Sequence, residues 1–142
     1  MIVTTLSKGA YYDQISKEAN IIETSNPSLV IQYSLGQSYD GVISDPFMML
    51  VPPTEQLLDA YTFSTPASGF TSNFASVVIR TSALDTVLLD GLKPDPALFK
   101  PIGDGAFHGA QIPITPGSHS ISANAKIGLY VYGFGSYDSY GY

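Results

Sequence analysis

The sequence predicts an all-β protein, an antiparallel, jelly-roll-like β-sandwich of about eight or nine strands, on three observations. Short runs rich in β-branched and aromatic residues recur along the chain, separated by turns about every ten residues. Asp40-Gly41, Asp90-Gly91, Asp104-Gly105 and Pro116-Gly117 punctuate them, with glycine supplying positive φ and aspartate bonding its own backbone. Only Gln14–Ala19 and Thr54–Ala60 have a helix-compatible composition, and neither reaches the length of an ordinary helix.

In chain order the expected strands are Asn20–Thr24 (NIIET), Ser28–Leu35 (SLVIQYSL), Phe47–Val51 (FMMLV), Ala60–Ser64 (AYTFS) and Phe74–Thr81 (FASVVIRT). Thr86–Leu89 (TVLL), Ala106–Ile114 (AFHGAQIPI), Ser118–Ala123 (SHSISA) and Ile127–Phe134 (IGLYVYGF) follow. Each is short and either alternates or is apolar throughout, as a half-buried or buried strand requires. Thr54-Glu55-Gln56-Leu57-Leu58 after Pro52-Pro53 suits a single helical turn. Pro66–Asn73 and the proline-rich Leu92–Asp104 read as loops. Pro116-Gly117-Ser118 links two apolar runs so tightly that a hairpin between them is expected.

A chain of 142 residues fits one domain, taken as residues 1–142, with a real core. Its 44% apolar and 12% aromatic content argues against disorder. The net charge of −6 arises from twelve acidic and six basic side chains, with no basic cluster to meet phosphates, so nucleic acid is excluded as a partner. There is no cysteine, hence no disulfide framework and no thiol nucleophile. The opening MIVTTLSKGAYYDQIS lacks the regions of a signal peptide. No apolar run approaches the ~20 residues of a membrane span, so membrane insertion is not expected.

The candidate chemistry is sparse. His108 and His119 are the two histidines, and each would need placed partners to serve a metal or acid–base role; an imidazole satisfied within the fold is the expectation. No HExxH, GxSxG, phosphate-loop or GxGxxG pattern occurs, so no catalytic residue is named and no enzyme is expected. Asp40, Asp45, Asp85, Asp90, Asp95 and Asp104 lie near turns, where oxygens can converge on calcium. Aspartate favours such turns for backbone reasons alone, so calcium is an alternative and no cofactor is expected.

Ten tyrosines are present, and Tyr130, Tyr132, Tyr137, Tyr140 and Tyr142 crowd the end of the chain. Two apart in a strand, Tyr130 and Tyr132 share one face while Leu129 and Val131 share the other. The first two are assigned to packing. Tyr137, Tyr140 and Tyr142, in the Gly/Ser-rich GFGSYDSYGY, are assigned to a surface, where tyrosine offers large contact area at low entropic cost.

VIQYSLGQSYDG, SDPFMMLVPPTEQ, ASVVIRT with TVLLDG, PGSHSISA and LYVYGFGSYDSYGY together resemble the N-terminal domain of IgGFc-binding proteins, with related domains in mucin-like animal proteins and bacterial surface proteins. The resemblance runs from about Ile21 to the end, and its closing strand and tract are the most specific part. Ser44 stands before Asp45 where the pattern has glycine. The resemblance implies a non-catalytic extracellular module of adhesion, matrix or mucus, and makes Tyr142 an expected boundary within a longer protein.

The expected function is therefore extracellular or cell-surface binding of a protein or glycan. A self-assembling structural subunit, a homo-oligomer, is the alternative. Tyr137, Asp138, Tyr140 and Tyr142 are the first candidate contacts, followed by Tyr39 and Asp40 in QSYDGVISD.

Overall fold

The structure, a computed structural model, describes residues 4–41 and 43–142, without the Asp40 side chain. Its strands are β1 (Ile31–Tyr33), β2 (Met48–Leu50), β3 (Leu58–Ser64), β4 (Phe70–Arg80) and β5 (Leu88–Leu89). β6 (Lys100–Ile102), β7 (Phe107–Ile114), β8 (Ser118–Gly135) and β9 (Asp138–Gly141) complete the set. A four-residue helix, α1 (Gln37–Asp40), lies between β1 and β2, and three 3-10 turns occupy Thr54–Gln56, Thr81–Thr86 and Pro96–Leu98. Every strand pair is antiparallel. β1 and β2 form a two-stranded sheet; the other seven are ordered β3-β8-β4-β7-β6, with β5 and β9 also on β8.

β8 organises the sandwich. Ile114 stands opposite Asn73 at one end of β4, whereas Ile127 stands opposite Ile79 near the other. Residues 118–126 must therefore carry the chain back along the sheet before β8 returns beside β4. Pairing with β3 records the corner: Ala60 faces Ser122 and Leu58 faces Ile127, so the register slips between them. Extra residues on one strand bend it, and such corners let one strand serve two layers. The first half of β8 lies with β3 and β5, the second with β4 and β9.

Register then sorts the side chains. Across β8, β4 and β7 run the rows Val131–Ala75–Ile112 and Leu129–Val77–Ala110, with Ile127 beside Ile79. All except partly buried Leu129 are buried, and with Phe63, Val87, Phe99 and Ile121 they make one apolar core. Burying each such side chain contributes about 1.5–3 kcal/mol. The opposite face carries the rows Tyr132–Phe74 and Tyr130–Ser76–Gln111, so Tyr132 is buried as expected while Tyr130 is only partly so, both on a second, aromatic face. The β1–β2 sheet lies against that face through Phe47, whose ring is 5.8 Å from Tyr132 and 6.0 Å from Phe134.

Several local expectations are corrected. Asn20–Thr24 forms no strand: its neighbouring isoleucines stay exposed, although Ile21 Cδ1 lies against Gly103. Gln14–Ala19 is not helical, while the expected turn after Pro52-Pro53 is the 3-10 turn at Thr54–Gln56. The two runs Ser118–Ala123 and Ile127–Phe134 are a single strand, and the Leu92–Asp104 loop contains β6. β7 and β8 do not make a hairpin with each other, because β4 stands between them. The Pro116-Gly117 turn locks instead onto Thr65, whose N–H donates to the Gly117 carbonyl at 2.9 Å and whose Oγ1 accepts from Gly117 N at 2.8 Å.

Candidate functional site

The terminal tract is a β-hairpin. β9 pairs with β8 from Tyr132–Gly141 to Gly135–Asp138, and Tyr142 and Val131 exchange backbone bonds of 2.9 and 3.0 Å beyond it. Its glycines answer to close packing. A methyl at Gly133 would run into the Tyr140 ring opposite and stand 2.7 Å from Asn73 Oδ1, and one at Gly141 would run into the Phe47 ring. An aromatic ring laid over a cross-strand glycine recovers the burial that the missing side chain forgoes.

The hairpin separates the four residues proposed from its sequence. Tyr137 is at the tip, 67% exposed, with φ +54°. Asp138 is exposed, and its Oδ1 accepts from Ser139 N at 2.8 Å. Tyr140 turns inward: it packs on the core, meets Phe70 edge-to-face at 4.8 Å, and donates to Asn73 Oδ1 at 2.7 Å. Burial, with Tyr142 adjacent, pushes the Tyr140 hydroxyl up to about 12. The Tyr142 ring lies 6.1 Å from Tyr140, and its hydroxyl donates to the Ser64 carbonyl on β3. The surface expected of Tyr140 is thus taken up by packing, while Tyr137 remains open.

Tyr39 is exposed on α1, a single turn closed by Gly41 N donating to the Gln37 carbonyl at 3.0 Å. The Asp40 side chain lies outside the described residues. The connection between α1 and β2 meets the hairpin where Ser139 Oγ donates to the Asp45 carbonyl.

Two features of the β1–β2 sheet were not singled out from the sequence. Ile31 faces Leu50 and Tyr33 faces Met48, and these four apolar side chains are 37–62% exposed on the outer face. The signal was the two-residue spacing within IQY and MML. Beneath the sheet is a cleft of about 300 Å³, with Gln32, Ser34, Phe47 and Met49 above and Phe74, Ser76, Gln111, Tyr130, Tyr132 and Phe134 below. Only the three-dimensional register brings these ten together.

Both histidines are engaged. His119 is buried, its ring stacked 5.5 Å from Phe63, with Nδ1 2.7 Å from Asp90 Oδ2 and Nε2 2.8 Å from the Thr115 carbonyl. Two oxygen acceptors require two N–H donors, the imidazolium form. His108 Nδ1 lies 2.9 Å from Thr81 Oγ1. That hydroxyl donates to the Gly105 carbonyl, so His108 donates to Thr81 and does not act there as a base. Asp95 Oδ1 accepts from Ala97 N at 2.9 Å, and Asp104 Oδ1 from Ala106 N at 3.0 Å. Among the described residues no three His, Cys, Asp or Glu side chains converge as metal ligands. No helix among them is long and apolar enough to cross a membrane.

A family model described as IgGFc binding protein matches residues 2–133. The match thus takes in both halves of β8 and the β1–β2 sheet and stops short of β9. No curated protein and no solved structure matches the chain.

Proposed function

The chain belongs to the IgGFc-binding family, and from that premise we propose that it is a non-catalytic, extracellular protein-binding module that docks through the outer face of β1–β2. The observation that carries this reading is the pair of exposed apolar cross-strand pairs, Ile31–Leu50 and Tyr33–Met48. Contiguous apolar patches on a soluble surface mark interaction sites, and aromatic and methionine side chains are favoured in interface centres. Of the residues proposed from the sequence, Tyr137, Tyr142 and Tyr39 retain exposed side chains, as does Asp138, and these stay in the proposed contact set. An Fc fragment of IgG, immobilised and probed by surface plasmon resonance, is the first partner to test. Met48→Asp and Leu50→Asp are each expected to weaken capture about tenfold or more with an unchanged melting temperature. Capture that ignores both substitutions, or no capture by the parent chain, counts against this reading.

Self-assembly is the second reading, supported by the seven-residue edge strand β3, since open edges recruit further strands. The opposite edge, β6, carries Lys100 and Pro101, which oppose pairing. Light scattering across a concentration series tests it: growth of mass with concentration supports assembly, and a constant monomer mass removes it.

A further inference from the structure

We infer that the cleft between β1–β2 and the aromatic face of the large sheet is a binding site for an uncharged saccharide of one or two rings. A face covered by a second layer ordinarily carries aliphatic side chains, as the opposite face of this sheet does. Here Tyr130, Ser76 and Gln111 stand in one row across three strands, with Tyr132 and Phe74 in the next. The ring of Tyr132 is stacked 5.4 Å from Phe74. The covering sheet adds the Gln32 amide from above.

This is an unusual set for mere packing and a fitting one for sugar. A pyranose presents C–H faces, which need flat apolar surface, and hydroxyl edges, each both donor and acceptor. The partly exposed rings of Phe74, Tyr130 and Phe134 supply the first; glutamine amides and serine hydroxyls, which also donate and accept, supply the second. A polyproline peptide would use the rings but offers only carbonyl acceptors along its backbone, leaving the oxygens of the glutamines without partners. No Asp, Glu, Lys, Arg or His lines the cleft, so a carboxylated or sulfated sugar would lose its hydration without gaining a counter-charge. The volume of about 300 Å³ sits at the small end of small-molecule sites, which suits one or two sugar rings and excludes a folded partner.

Saturation-transfer NMR on the full chain tests this with lactose, cellobiose, maltose and chitobiose, alongside sialyllactose and a proline decamer. Transfer to the ring C–H protons of at least one neutral disaccharide is expected. Gln32→Ala, on an exposed strand outside the core, and Gln111→Ala are each expected to weaken that binding about fivefold or more, with the melting temperature of Gln32→Ala unchanged. Transfer to no neutral disaccharide overturns the proposal, as does transfer that both variants leave intact. Binding of the decamer in place of sugar overturns it in favour of a peptide cleft. The outer-face contact stands or falls separately, since Met48→Asp and Leu50→Asp act on Fc capture and Gln32→Ala on sugar.

Discussion

Tyr140→Ala is expected to destabilise the fold by about 3 kcal/mol, in line with the truncation of a packed aromatic ring. Tyr137→Ala, three residues away, is expected to stay within about 0.5 kcal/mol, as exposed sites do. The contrast follows from the hairpin. Tyr140 covers Gly133, meets Phe70 and donates to Asn73, whereas Tyr137 stands at the exposed tip. Tyr140→Phe keeps the ring and removes one donor, leaving the buried Asn73 oxygen without its 2.7 Å partner, a loss of about 1–3 kcal/mol. Urea melts of the three variants read all of this. If Tyr140→Ala proves as mild as Tyr137→Ala, β9 does not contribute to the folded core.

Stability should also depend on pH through His119 and Asp90. Burial opposes charge on His119, but its hydrogen bonds to Asp90 and to the Thr115 carbonyl, with the Asp90 charge, outweigh it and hold its pKa above 6.5. The bond from His119 and then that from Ser120 hold Asp90 below 3.8. A raised histidine pKa contributes stability that is complete below the unfolded value and lost as pH rises through the folded one; a lowered carboxylate behaves in the opposite sense. The pair therefore contributes most between 3.8 and 6.5 and fades on either side. Because the Asp90 side chain is 45% exposed, the contribution is screened to about 1 kcal/mol, or about 3–5 °C in a domain of this size. Melting temperature should fall as pH rises from 6 to 9, and His119→Gln should lose that slope. An equal slope in the variant would show that other groups set the pH response.

The parts of this fold that could be read from the sequence are strands whose two faces differ in chemistry. In β4, Ala75, Val77 and Ile79 alternate with Phe74, Ser76 and Val78, and in β8 Leu129 and Val131 alternate with Tyr130 and Tyr132; such alternation marks a strand with an aliphatic side and a different one behind it. β5 and β6, with two and three residues, are too short to show a period and exist because neighbouring strands offer edges. β9 was hidden for a different reason. The glycines of its hairpin look like punctuation, but Gly133 and Gly141 lie under the rings of Tyr140 and Phe47, and nothing local reveals which ring faces which glycine. The same holds for the candidate site: Tyr137 and Tyr39 were legible as tyrosines in turn contexts, but the cleft joins Gln32 to Gln111 across most of the chain.

The long, cornered β8 bears on how this chain acquires its structure. β3, β4, β5 and β9 all pair with it, and of these only β4 has another strand, β7, to join before residues 118–135 exist. During synthesis most of the chain must leave the ribosome before the central sheet can close, and β3 and β5 wait without a partner strand. Loop closure over such separations makes folding slow, on the order of milliseconds to seconds, and unpaired strands aggregate in that interval. A truncation ending before Ser118 should consequently keep at most the β4–β7–β6 ladder, without the core that β8 closes.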